Sequence, residues 1–343
     1  MERQTEPARP DAKSGSSGRV AVVALSVVLL GASLLSGDVN AAQDAKPLQN
    51  IDGSVRVSMH NVKYHFAESV SVQVNYLNGA FVPVGDRTMP VADDKNSFKI
   101  HIDTAEIAIN PQDLANLLNQ FVFSRPGSPL SGISVTMLAN EHLSVKGRLK
   151  DKGNIPFETQ GALVAAPDGK LRLRAERVKA LKIPVKGLMD ALGIEVDNLI
   201  KSGQVPGVAA DGNDLIFDLE QMLPAPRIEG RVTNVRVESN TIVQTFSDGS
   251  NAKDAKALPK FQGNYMALRG NSIQVGKLTM QDCDIVVFDM DPADPLDFFL
   301  DRYREQLAAG YTKISTSFQV REYIKDFGKL SQSKKPAAPA ANN

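Results

Sequence analysis

Ser97-Phe98-Lys99-Ile100-His101-Ile102-Asp103-Thr104-Ala105-Glu106-Ile107-Ala108-Ile109-Asn110-Pro111-Gln112-Asp113-Leu114 is the stretch on which the fold turns. Phe98, Ile100 and Ile102 alternate with Lys99, His101 and Asp103, and the pattern continues at Ile107 and Ile109. A period of two with one apolar side is a strand with one buried face. Asn110 then supplies a helix cap, Pro111 fits the first turn, and Asp113 complements the helix dipole. Leu114, Leu117, Leu118 and Phe121 recur at helical spacing, which predicts a helix with one apolar face that ends before Arg125-Pro126-Gly127.

Upstream, Val55, Val57 and Met59 alternate with Arg56, Ser58 and His60, and Val70, Val72, Val74 and Tyr76 alternate with Ser71, Gln73 and Asn75. Both runs read as strands, with a turn expected at Asn78-Gly79 and a loop through Asn96. Downstream, Ile133 to Gly147 reads as a hairpin, Phe157 to Val164 as a third strand, and Leu171, Leu173 and Ala175 as a fourth beyond the turn Pro167-Asp168-Gly169. A short amphipathic helix is expected over Val185 to Leu192, with Leu188, Ala191 and Leu192 on its apolar side. Leu215 to Leu219, Val232 to Val237 and Thr241 to Phe246 add strands. Gly263 to Arg269, Ser272 to Met280 and Asp284 to Phe288 suggest a small antiparallel sheet. Asp294-Pro295 is expected to open a helix carrying Leu296, Phe299, Leu300, Tyr303 and Leu307 on one side. The fold class is therefore α+β.

The chain has 343 residues, 42% of them hydrophobic, so it can bury a substantial core. Lys plus Arg and Asp plus Glu stand at 39 each, and the balance survives removal of residues 1–41. Neutrality argues against nucleic acid, whose phosphates call for a basic excess. Val20 to Leu35 is an apolar run after Arg19 and before Val39-Asn40-Ala41, the order of a secretory signal. Residues 1–41 are thus expected to be a cleaved signal peptide or an uncleaved anchor, and the protein exported, as in a periplasm. A linker of 42–53, a domain of 54–247, a linker of 248–259, a C-terminal region of 260–330 and a disordered tail of 331–343 complete the expected organisation. A single cysteine, Cys283, rules out an intramolecular disulfide.

Three segments carry a resemblance: Ile107 to Leu114 opening a helix, Ile133-Ser134-Val135 leading to His142 to Gly147, and Pro167 to Leu173 followed by Gly187 to Leu192. With Leu223-Pro224 before the closing strands, the chain resembles the DUF2993 family of exported bacterial proteins, related to tubular lipid-binding (TULIP) domains, over Val55 to Phe246. The resemblance implies a strongly curved antiparallel sheet wrapped around one or two amphipathic helices, enclosing an apolar channel for acyl chains, with the region after Lys260 as an addition. It implies a non-enzymatic protein that binds or transfers a phospholipid or glycolipid and meets a membrane surface.

Leu114, Leu117, Leu118, Phe121, Leu188, Ala191 and Leu192 are the expected lipid-lining residues; taken alone, such stripes are ordinary core. Hydrocarbon needs buried apolar area, about 0.8 kcal/mol per methylene, and no directional chemistry. Arg172, Arg174, Arg177 and Lys179, in a basic run with Lys170, Lys182 and Lys186, could meet anionic headgroups or form a solvated strand face. The aspartates Asp282, Asp284, Asp289, Asp291, Asp294 and Asp297 lack the spacing of a calcium loop and read more simply as caps and turns. His60, His65, His101 and His142 are dispersed, so no catalytic residue, metal site or cofactor is expected. The alternative function is a structural or assembly protein of the envelope, its core filled by its own side chains and its C-terminal region docking a protein partner.

Overall fold

The computed structural model describes residues 53–138, 142–150, 153–180, 205–212, 214–238, 240–248 and 258–330, without the side chains of 178–180. The expected leader, the expected second helix at Val185 to Leu192 and the expected tail lie outside these residues. Among the described residues no helix is long and apolar enough to cross a membrane.

The molecule is sheet-rich, and its larger sheet is a curled, mostly antiparallel half-barrel. At its centre lie three long strands, β1 (Val55–Ala67), β2 (Val70–Pro83) and β3 (Phe98–Ile109). The smaller sheet orders β4 (Leu130–Met137), β5 (His142–Leu149), β6 (Ile155–Ala165), β7 (Leu171–Ala180), β9 (Asp214–Phe217) and β8 (Val208–Asp211). Outside β3 the large sheet continues through β12 (Thr241–Ser247) to β11 (Val232–Glu238), with the short β10 (Arg227–Glu229) also beside β3. Outside β1 it continues through β13 (Tyr265–Val275), β14 (Leu278–Asp289), β17 (Val320–Ile324) and β16 (Tyr311–Ile314), with β15 (Leu296–Phe299) parallel to β1. The strands after residue 260 thus extend the first sheet.

Why the sheet curls is visible in β3. Ile100 and Ile102 face the core, and so do Ile107 and Ile109, although strict alternation would put the second pair outside. Asn78 pairs with Thr104 and Gly79 with Ile102, so Asp103 is an extra residue in β3. Such a bulge bends the strand and switches the facing residues. Asn78-Gly79 is therefore not the expected turn: β2 runs through it to Pro83. A β-carbon at Gly79 would lie 2.1 Å from the His101 carbonyl oxygen, so glycine lets the bulged strand approach. Asp103, buried by the bulge, pairs with Arg56 across β2.

The helix predicted from Asn110 forms as α1 (Pro111–Leu117) and ends in a π-helical turn over Leu118–Val122. The Asn110 side chain accepts the Asp113 amide at 2.8 Å. The segment after Asp294-Pro295 departs from expectation. Its first four residues are strand β15, because Val62, Lys63, Tyr64 and His65 of β1 offer them a parallel ladder. Helix begins only at α3 (Tyr303–Ala308), after a 3₁₀ turn over Leu300–Arg302; α2 (Leu219–Met222) and α4 (Phe327–Leu330) are single turns. The three segments expected between Gly263 and Phe288 are one continuous hairpin, β13 and β14.

Candidate functional site

The inner face of the large sheet serves two compartments. On the β12, β3 and β2 side it meets the smaller sheet across α1, where Leu114 and Leu117 line a void of about 60 Å³ with Phe66, Ile107 and Leu163. Leu114 and Leu118 line a second void of about 50 Å³ with Val135, Leu143 and Phe217. Leu117 is 1% exposed, and Phe121 packs against the same core. The expected lining residues that are described therefore come together, around spaces holding little more than one or two water volumes. Leu188, Ala191 and Leu192 lie outside the described residues.

The second compartment is larger. Under β1, β13, β14 and β17 lies a cavity of about 260 Å³. Met266 and Leu268 of β13 face it, and so do their β14 partners Val287 and Ile285. Beyond the midpoint of the hairpin the alternation switches, and Ile273 and Val275 face it with Met280 and Leu278. Asp282, at the switch, has φ +49°, a left-handed conformation that Asp tolerates better than most residues. This twist makes both halves of one hairpin wall the same space. Phe81 and Phe98, with ring centroids 4.8 Å apart, close one end. Phe298 of β15 with Leu300, Tyr303 and Leu307 forms the cover, and Ala92 and Val320 complete the wall. Leu278 is 54% exposed although it lines the space, so the opening lies beside it.

Among the described residues, only Tyr64, Tyr303 and Glu322 bring polar side-chain atoms to this lining. Burial, helped by the Asp301 charge, pushes the Tyr64 phenol well above its ordinary pKa. Burial also raises Tyr303, whose hydroxyl donates to Asp93 at 2.8 Å. Glu322 accepts from the Thr312 hydroxyl at 2.6 Å. Both phenols stay neutral over the physiological range, which leaves the half-buried Glu322 as the one carboxylate of the described lining; hydrocarbon fits against the rest. Comparison with protein-family models, curated proteins and solved structures found no match to this chain.

Several of the remaining candidates have structural partners. Arg172 binds Asp211 at 2.6 Å and Asp214 at 2.9 Å, while Arg174 and Arg177 are exposed on β7; the Lys179 side chain is not described. Asp289, Asp294 and Asp326 bring carboxylate oxygens within 4.8 Å of one another. The Lys329 ammonium sits among these acids, 2.7 Å from Asp326 and 3.1 Å from Asp294, while Asn264 donates to Asp289 at 3.0 Å. They fasten α4. His65 Nε2 donates to the Asp297 carboxylate at 2.5 Å, tying β1 to β15.

The α1 face is legible in the sequence; the larger cavity is not. Its wall comes from strands more than two hundred positions apart, Tyr64 to Val287, and the only trace was that the apolar positions of both β13 and β14 change parity at mid-strand.

Proposed function

We propose that the protein is a non-enzymatic lipid-binding protein of the bacterial envelope, which holds one acyl chain of a phospholipid or glycolipid in the cavity under β13 and β14. The observation that carries this reading is an opening at Leu278 onto a space of about 260 Å³ whose lining is hydrocarbon and thioether apart from two phenols and one carboxylate. Its volume lies just below the roughly 300–1,000 Å³ of small-molecule sites, a size that suits a single chain with its headgroup left outside. Each methylene transferred from water contributes about 0.8 kcal/mol, so a chain of ordinary length needs no polar anchor inside. The leader-like N-terminus and the resemblance to an exported lipid-binding family point the same way. The α1 compartment, with its small voids, has the filled core of the structural alternative.

Native mass spectrometry after exposure to membrane lipid tests the reading. The expected result is an added acyl-lipid mass, lost by about tenfold or more in Ala92→Phe, which fills the cavity from its half-buried rim. A clean apo mass, or unchanged uptake by a folded A92F protein, would overturn it.

A further inference from the structure

The hairpin of β16 and β17 ends in the turn Ser315-Thr316-Ser317-Phe318-Gln319, and Phe318 there is 85% exposed. Its φ is +60°, a left-handed conformation that is unfavourable for a bulky residue and that glycine would adopt freely. The turn is nonetheless well tied: the Phe318 amide donates to the Ser315 carbonyl, and the Gln319 amide to the Ser315 hydroxyl, both at 3.0 Å. A strained backbone that presents a bare aromatic ring to water contributes nothing to the isolated fold. Such an outlier points to something the ring must meet.

The surroundings say what that is. Ile314, 55% exposed, pairs across the hairpin with Val320, which lines the cavity, so the apolar surface runs from the interior to the hairpin edge. On the opposite face Lys313 stands directly across from Arg321, a like-charge pair unfavourable without an anion nearby. The Lys313 ammonium lies 5.4 and 5.3 Å from the rings of Tyr311 and Tyr323, which stack at 4.7 Å. Arg321 donates to the Gln319 side-chain oxygen at 3.0 Å, and of the acids nearby Asp284 is bound by Arg269 at 2.6 Å and by the Gln319 side-chain amide at 3.0 Å, and Glu322 by Thr312. An apolar tip backed by a pair of cations follows the order of a bilayer interface, hydrocarbon then headgroups, with the stacked tyrosines two positions farther from the tip.

We propose that this hairpin docks the protein on an anionic lipid bilayer: Phe318 and Ile314 enter the interface, Lys313 and Arg321 meet headgroups, and the cavity mouth is brought to the source of its chain. The inference rests on the acyl-chain reading for its purpose but not for its test. Because the chain contains no tryptophan, Phe318→Trp gives an emitter confined to the tip. On phosphatidylcholine vesicles containing phosphatidylglycerol, F318W emission should shift to the blue and be quenched by brominated lipid. Lys313→Glu with Arg321→Glu in the same background should weaken this binding by about fivefold per charge and remove its salt dependence. Emission that stays at its aqueous value on these vesicles would overturn the proposal. So would a shift that appears with protein concentration alone, which would assign the tip to a second copy of the chain. If F318W shifts but native mass spectrometry finds no acyl chain, docking stands and the carrier reading falls; the reverse pattern spares the carrier and removes the dock.

Discussion

The two compartments of the large sheet are built from the same residue types and end differently. Around α1 the sheet faces a second sheet, and side chains such as Leu117 and Ile242, 1% and 0% exposed, fill the gap. Under β13 and β14 it faces no second sheet among the described residues but the cover of β15, the turn at Leu300 and α3, held at its margins by directional bonds. Gln306, 0% exposed, accepts the Phe299 amide at 2.9 Å and donates to the carbonyls of Asp297 at 2.8 Å and Lys325 at 2.9 Å. His65 meets Asp297, and Tyr303 meets Asp93. An apolar interior closed by packing has to be full. One closed by hydrogen bonds at its rim can remain hollow, because the bonds fix the cover without needing atoms beneath it.

The contrast breaks most visibly under truncation. Leu117→Ala should cost about 4 kcal/mol, since both the transferred surface and the new cavity count against it. Leu268→Ala, on the wall of the existing cavity, removes fewer contacts and should cost about 2 kcal/mol. Urea denaturation of both variants checks the difference, and equal costs would mean the second compartment is packed after all. Next, Gln306→Leu should cost about 3 kcal/mol by stranding one amide and two carbonyls, and should abolish acyl-chain uptake. Leu117→Ala should leave uptake intact.

Acid should loosen the cover. Burial works to raise the Asp297 carboxyl, but the His65 hydrogen bond, the His65 and Lys63 charges and the Gly328 amide outweigh it and leave its pKa lowered. A depressed carboxylate contributes stability that is present above its unfolded pKa, about 4, and lost as pH falls through the lower folded value. Asp297→Asn should therefore cost about 1–2 kcal/mol at neutral pH and progressively less below about pH 4. Thermal melts across that range give the answer; a penalty that does not shrink in acid would remove Asp297 from the account.

Much of the strand inventory was legible because burial on one face imposes a period of two, and α1 because Asn110, Pro111 and Asp113 are local signals. What was not legible was non-local. Asn78-Gly79 has turn chemistry, yet the extra residue Asp103 on the neighbouring strand needs a glycine opposite. Leu296 to Leu307 has a helical apolar spacing, yet β1 captures its first four residues as a strand. Leu114 and Leu117, the lining that the resemblance implies, sit where the apolar pattern is strongest; strong patterning produces tight packing, and the open space lies where the alternation changes sides.

The smallest effect concerns Cys283, 1% exposed in β14 beside the mid-strand switch. Burial, with the Asp284 charge, pushes its thiol up to about 12, and the sulfur points at the Leu268 carbonyl 3.9 Å away. Cys283→Ala should cost only about 1 kcal/mol, yet its labelling distinguishes the two compartments. A thiol so protonated and buried reacts only when β13 and β14 open. If the hollow side opens by itself, labelling at pH 8 should outrun global unfolding and be insensitive to Leu117→Ala. A bound acyl chain should slow it by the factor 1 + [L]/Kd, because the chain stabilises only the closed form. Labelling that tracks global unfolding, and quickens in L117A, would mean that both compartments melt as one unit.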